Sequence, residues 1–153
     1  GAVKYDGTSF TRYTRDDGMA SNDITAMVED AHGGLWFTSR TDGGITRYDG
    51  KQFVRYSTEQ GLAAESAWAA LRDRHGTLWF GTGGGGLAYF DGHAFHTLKD
   101  DQGITRNHVQ SIFEDPDGTL WFGFSGGLFK LAPRLPDEAL RLVNVTRAGP
   151  WGK

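Results

Sequence analysis

The chain has 153 residues, with 16 basic against 19 acidic side chains, a net charge of −3, 23 glycines and no cysteine. The missing cysteines exclude disulfides and thiolate metal sites, and the weak, dispersed charge argues against a nucleic-acid groove, which needs a concentrated cationic surface. No apolar run approaches the roughly 18 residues of a membrane-spanning helix, so no membrane contact is expected within this segment.

Residues 2–6 and 8–14 read as two short strands joined by Asp6-Gly7, a strong hairpin signal. A polar stretch, 15–22, follows, and from there the chain begins to repeat itself. An apolar run at 24–28 is turned by Asp30 to Gly33 into a strand at 35–38. A polar loop from Ser39 leads through Gly43-Gly44 into a strand at 45–48, and Asp49-Gly50 turns that into a fourth at 52–56. A second unit runs from 67 to 98. A third runs from 109 to 131, where its recognisable part stops after three strands. Pro133 and Pro136 then break the pattern, and 140–146 is expected as a strand outside the repeat register. No segment carries a helical period long enough to compete.

The repeat is measurable, because 43 residues separate Trp36 from Trp79 and 42 separate Trp79 from Trp121. The same two steps relate Asp30, Asp73 and Asp115, and also Phe10, Phe53 and Phe95. Four antiparallel strands in such a period, with aromatic and glycine positions in step, are the pattern of a β-propeller blade. The expected fold is therefore all-β, built of four-stranded antiparallel blades of 42–43 residues, a partial propeller of about three blades. Its organisation reads as repeats over 1–132: a half blade at 1–14, blades at 22–57 and 65–98, and a blade at 107–132 with three strands visible. Residues 133–153 form a tail or the start of a following domain. The three tryptophans are expected in equivalent buried positions between blades. The three aspartates are expected to accept backbone N–H groups in their turns.

Several sharper motifs have plainer readings. Residues 81–86 satisfy G-x-G-x-x-G, but a strand follows where a dinucleotide site requires a helix N-terminus. The acidic turn at 115–118 has too few ligands for a calcium loop. His93 and His96, three apart on a strand, fall on opposite faces and cannot chelate together. No metal, cofactor or catalytic set is expected. What remains is the variable loop material at one end of the blades, where rigid sheets position binding residues. The candidate ligand-binding residues are Asn22, Arg40, Asp42, Trp68, Arg106 and His108. Trp68 stands out because its equivalents are Thr25 and Gln110, whereas a core position would be apolar in every repeat.

The phrase D-x-x-G-x-L-W-F-G-T, two glycines followed by Leu or Ile, and then an aromatic-Asp-Gly turn resembles the two-component regulator propeller repeat over residues 1–132. Thr38-Ser39 and Phe124 depart from its usual Gly-Thr and Thr. The resemblance implies a sensory propeller of bacterial hybrid two-component sensor kinases, lying in the periplasm or otherwise outside the cytoplasm. It implies binding of a small molecule such as a saccharide, with no catalysis. Two alternatives stand beside it. One is a structural or protein-interaction propeller. The other is a propeller lyase resembling virginiamycin B lyase, which shares D-G-x-L-W-F, although its I-G-R-I run is absent from residues 81–90. Closure is expected from other blades of a longer propeller, or from a second copy whose residues 8–14 supply the fourth strand of the third unit.

Overall fold

The structure, a computed structural model, describes residues 1–41, 43–98, 108–132 and 139–146. It opens with a two-stranded hairpin of β1 (Ala2–Tyr5) and β2 (Phe10–Tyr13). Three four-stranded antiparallel sheets follow. The first is β3 (Ile24–Glu29), β4 (Leu35–Ser39), β5 (Ile45–Tyr48) and β6 (Phe53–Tyr56). The second is β7 (Ala67–Arg72), β8 (Leu78–Thr82), β9 (Leu87–Phe90) and β10 (Phe95–Leu98). The third is β11 (Val109–Glu114), β12 (Leu120–Phe124), β13 (Gly127–Leu131) and β14 (Leu142–Asn144). In each the strands lie side by side in chain order. The first strands of the sheets are neighbours in space, β3 touching β7 and β7 touching β11.

Two recurring carboxylates make the turns. Between the first and second strands, Oδ1 of Asp30, Asp73 and Asp115 accepts the N–H groups two and four residues on, at 2.9–3.0 Å. The glycine three residues after each aspartate has a φ of 80–88°, a left-handed conformation that a side chain resists. Between the third and fourth strands, Oδ1 of Asp49 and Asp91 accepts two successive N–H groups at 2.8–2.9 Å, as Asp6 does between β1 and β2. The polar stretch after β2 is itself ordered. Thr14 and Asp17 form a reciprocal cap on a single 3-10 turn, and Ser57 with Gln60 repeat it after β6.

Sheet stacks on sheet through tryptophan. Trp36 in β4 is 1% exposed, and its ring lies 5.0–6.2 Å from Phe80, Phe90 and Phe95 of the second sheet. Trp79 in β8 is 2% exposed and meets Phe122 of the third sheet at 5.6 Å. The residue opposite each indole on the next strand, Arg47, Tyr89 or Lys130, covers it, with centre distances of 5.9, 5.2 and 6.0 Å. The sheets are also tied at their turns. Arg74 reaches Glu114 at 2.6 Å and the carbonyls of Asp115 and Pro116 at 2.9 and 3.0 Å.

One expectation is corrected. Trp121 is half-buried, unlike its two equivalents, because no described sheet lies beyond the third to cover its outer face. The strand expected at 140–146 is present as β14 and completes the third sheet beside the three strands recognisable in the repeat. Residues 142–144 pair with β13 through Phe129–Asn144, Lys130–Val143 and Leu131–Leu142, and the Ala132 N–H donates to the Arg141 carbonyl at 2.8 Å. An open β13 edge would leave a row of backbone groups unpaired, and the tail fills it within the same chain. The strand falls out of the repeat register because a longer connection replaces the Asp-Gly turn used in the other sheets. The β13 edge is therefore already occupied where an exchanged strand from a second copy was expected to sit.

Unequal burial of the three indoles sets a graded expectation. Trp36→Ala and Trp79→Ala should each lower the unfolding free energy by roughly 3–5 kcal/mol, and Trp121→Ala by about half as much, as read from urea midpoints. Equal losses at all three positions would contradict this stacking.

The turn carboxylates also set a pH dependence. Burial raises the Asp30 pKa, but bonds from Arg47, Trp36 and the Gly34 and His32 N–H groups outweigh it and hold the carboxyl well below the usual range. The Trp121 indole and the Thr119 N–H lower Asp115 in the same direction. A carboxylate whose folded pKa is depressed contributes stability that is fully present above its unfolded pKa of about 4 and is lost as pH falls below that. The urea midpoint should accordingly hold steady near neutrality and drop below about pH 4, with a shallower drop in Asp30→Asn.

Candidate functional site

The end of the sheets opposite the aspartate turns is built on a repeated irregularity. Register shifts lie between Ile24 and Ala26, between Ala67 and Ala69, and between Val109 and Ser111, leaving Thr25, Trp68 and Gln110 as the extra residue in each first strand. A bulge of this kind re-aims its side chain. The position that singled out Trp68 in the sequence is therefore a bulge position, which is why it need not be apolar. Thr25 uses it structurally, its Oγ1 donating to the Ala67 carbonyl of the next sheet at 2.8 Å and lying 2.9 Å from Thr38 Oγ1.

Trp68 uses it differently. Its indole stacks on the His108 ring, with centroids 4.9 Å apart and planes inclined by 23°, and the Arg40 guanidinium carbon lies 5.9 Å from the Trp68 ring centre. Arg40 follows β4 of the first sheet, Trp68 belongs to β7 of the second, and His108 immediately precedes β11 of the third. Three sheets thus contribute one residue each to a single cluster. The Trp68 Nε1–H is buried and has no hydrogen-bond partner among the described residues. It faces the loop that leaves β8, where a Cβ added at Gly83 would come within 3.0 Å of Nε1 and would collide with Ser66 Oγ. The glycine-rich loop therefore makes room for the indole. It joins the antiparallel strands β8 and β9, so it is a hairpin connection and does not cradle a dinucleotide.

The other sequence candidates fall elsewhere. Asn22 is engaged in the connection after β2, its Oδ1 accepting the Arg15 N–H at 3.0 Å and its carbonyl accepting from the Gly1 ammonium. Glu65 does the same work one repeat on, accepting from the Thr58 N–H and hydroxyl at 2.9 and 2.5 Å. No hydrogen bond or ring contact joins Asn22 to the cluster. Asp42 and Arg106 lie outside the described residues. A pairing that sequence reasoning missed stands at the turn end, where His96 Nε2 meets Asp91 Oδ2 at 2.7 Å and the His96 ring stacks on Tyr89 at 4.9 Å. That pair borders a cleft between the second and third sheets, also lined by Asp73, Thr119 and Leu140.

Four-stranded antiparallel sheets stacked through a recurring tryptophan, with their first strands side by side, define an arc of a β-propeller. The family model described as two component regulator propeller matches residues 18–41, 61–84 and 103–126, so the chain carries three repeats of that family. Among solved structures, the extracellular domain of a hybrid two component system from B. thetaiotaomicron is similar, with 26% identity and a TM-score of 0.65 over 84% of this chain and 18% of that one. A second extracellular domain of this kind from the same organism matches at 17% identity and a TM-score of 0.64, over 91% of this chain and 19% of that one. Virginiamycin B lyase from Staphylococcus aureus shares the fold at 14% identity and a TM-score of 0.59, over 80% of this chain and 41% of that one. The chain thus spans about a fifth of the length of the two extracellular domains. No curated protein sequence matches it. Among the described residues, no helix is long and apolar enough to cross a membrane.

Proposed function

We propose that the chain is the ligand-binding part of a sensory propeller belonging to a two-component signalling protein, that it lies outside the cytoplasm, and that it has no catalysis of its own. The convergence of Arg40, Trp68 and His108 from three sheets carries this reading, since a residue from each of three blades meets at one end of the arc. Their equivalents elsewhere in the repeats are Gly83 and Ser125, Thr25 and Gln110, and Asp23 and Ser66. The cluster is therefore not demanded by the repeat, whose own requirements recur in every blade. The family repeats and the extracellular relatives supply the signalling context.

The measurement is the thermal shift and intrinsic tryptophan fluorescence of the chain against a panel of neutral and acidic oligosaccharides. A binder should be found, and Ala at Arg40, Trp68 or His108 should weaken it by about tenfold or more, in line with the loss of a stacking or charged contact. Affinity that survives all three substitutions overturns the site. The lyase alternative has its own control in quinupristin, present in one lyase structure. The chain should leave it intact, and its breakdown would overturn the non-catalytic reading.

A second surface supports a role for further blades. In the second sheet, Ala88, Phe90 and Phe95 receive Trp36 from the sheet before. The equivalents in the hairpin are Val3, Tyr5 and Phe10, which are 63%, 58% and 74% exposed. They form the unfilled half of a contact that the chain makes elsewhere, and we infer that another blade of the same repeat covers them. Light scattering after size exclusion should show the isolated chain associating at micromolar concentration, with Phe10→Asp reducing the association. A stable monomer would contradict the inference.

A further inference from the structure

The walls that hold Trp36 are built a second time, one repeat earlier. Around Trp36, the Tyr56 ring stacks at 5.0 Å, and Phe80, Phe90, Phe95 and Leu62 close the other sides. The hairpin repeats β5 and β6 strand for strand, so that Ala2, Lys4 and Tyr13 stand where Ile45, Arg47 and Tyr56 stand in the first sheet. Tyr13 lies 5.4 and 5.5 Å from Tyr48 and Phe53, as Tyr56 lies 6.1 and 5.5 Å from Phe90 and Phe95. Phe37 and Met19, both buried, take the places of Phe80 and Leu62. The linking segments approach alike: a Cβ added at Gly18 would stand 3.2 Å from Phe53, and one at Gly61 3.9 Å from Phe95. Each of the four described tryptophans is engaged elsewhere. Beside these walls, among the described residues, β1 has a strand on one side only, which leaves an edge able to pair. Met27 is 63% exposed, whereas its equivalent Ala70 packs on the core around Trp36. Glu29 is exposed too, and its equivalent in the third sheet, Glu114, receives Arg74 from the sheet before.

We propose that this face is a docking site for a strand pair of the same repeat, a two-stranded segment whose turn aspartate stands six residues before a tryptophan. The segment adds to β1 as β4 adds to β5. Because Trp36 pairs with Arg47, its tryptophan falls opposite Lys4, with the indole against Tyr13, Tyr48 and Phe53. Lys4 then covers the indole and meets the aspartate, as Arg47 covers Trp36 and binds Asp30. A basic residue directly after that aspartate reaches Glu29, as Arg74 after Asp73 reaches Glu114. Main-chain pairing supplies affinity in such strand addition, while the aromatic anchor and the charges fix the register. The partner brings its own acceptor for the indole N–H, as Asp73 does for Trp79, so the aspartate and tryptophan are recognised together. This is the opposite face of the hairpin from Val3, Tyr5 and Phe10, and the inference does not rest on the Arg40, Trp68 and His108 site.

The probe is a synthetic peptide with the sequence of residues 67–82, which carries Asp73, Arg74 and Trp79 on two strands, with Trp68→Thr so that one indole remains. It is titrated into the full 153-residue chain while the methyl resonances of the two methionines are followed by carbon–proton NMR, assigned from Met27→Leu. The Met27 methyl should move saturably as the incoming first strand covers it, and the Met19 methyl should move with it as the indole settles. A peptide that also carries Trp79→Ala should bind about tenfold or more weakly, the loss expected of a central aromatic anchor. Lys4→Glu in the chain, at an exposed position, should weaken binding by roughly two- to fivefold, as for like charges set opposite each other across strands. A chain that stays monomeric yet binds the peptide in this way would support the inference while removing the contact inferred at Val3, Tyr5 and Phe10. Equal binding of the two peptides, binding unchanged in Lys4→Glu, or binding that moves neither methyl would overturn it. A peptide that does not bind at about millimolar concentration, the weak end of specific recognition, would overturn it as well.

Discussion

The carboxylate of Asp30, repeated at Asp73 and Asp115, joins a turn to a core. One oxygen receives the two N–H groups that close the turn, and the other receives the indole N–H of the tryptophan six residues on, at 2.8–2.9 Å. A buried indole brings large apolar area into the core, but its N–H needs an acceptor, and an N–H left unmet costs about 1–3 kcal/mol. Placing that acceptor in the adjacent turn solves both problems with one side chain. A hydrogen bond to an ionised group is worth about 1.5–3 kcal/mol, more than one to a neutral acceptor, which accounts for aspartate at all three positions.

From that bond follows the stacking of the sheets. Each indole, fixed in angle by its own turn and covered on one side by Arg47, Tyr89 or Lys130, is presented to the following sheet. In the first two sheets it meets phenylalanines and is sealed. In the third it keeps a partly exposed face, and at the other end of the arc Val3, Tyr5 and Phe10 wait as the receiving surface. Both ends display halves of the same contact, so the unit of stability here is the interface between blades more than the blade itself.

The loop end inherits this rigidity. Because the sheets are locked at their turns and cores, the bulges at the far end hold their side chains at set distances from one another. Trp68 reaches His108 across one interface and Arg40 across the other. Binding at such a point would bridge three blades at once. The arrangement requires no flexibility of the loops themselves, since Ser39 Oγ closes its own loop onto the Gly44 carbonyl at 3.0 Å and Thr82 Oγ1 closes the next onto Gly86 at 2.7 Å.

Strand content, the blade period, the Asp-Gly hairpins and the positions of the core tryptophans were legible in the chain because each depends on residues within one repeat, where strand alternation and turn chemistry are local. The reciprocal cap at Thr14 and Asp17 was equally local and could have been read from its three-residue spacing. The constant six-residue step from aspartate to tryptophan was visible too, although its meaning as a hydrogen bond needed the fold of the turn. Other features depended on which blades lie side by side. Trp121 resembles its equivalents in sequence and differs from them in burial only because of what stacks, or does not stack, upon it. Strand β14 pairs by occupying an open edge, a matter of position that the pattern of its residues does not encode. Arg40, Trp68 and His108 are separated by 28 and 40 residues along the chain. They become one cluster because the end of β4, the bulge of β7 and the start of β11 lie side by side, whereas Asn22, chosen from the same loops, is drawn into a local hydrogen bond with Arg15. The chain by itself determined the blades, since a blade is written in short-range spacing, and it marked Arg40, Trp68 and His108 one by one; only the tertiary structure decided that these three, and not Asn22, meet in one cluster, since that meeting is an agreement among three blades.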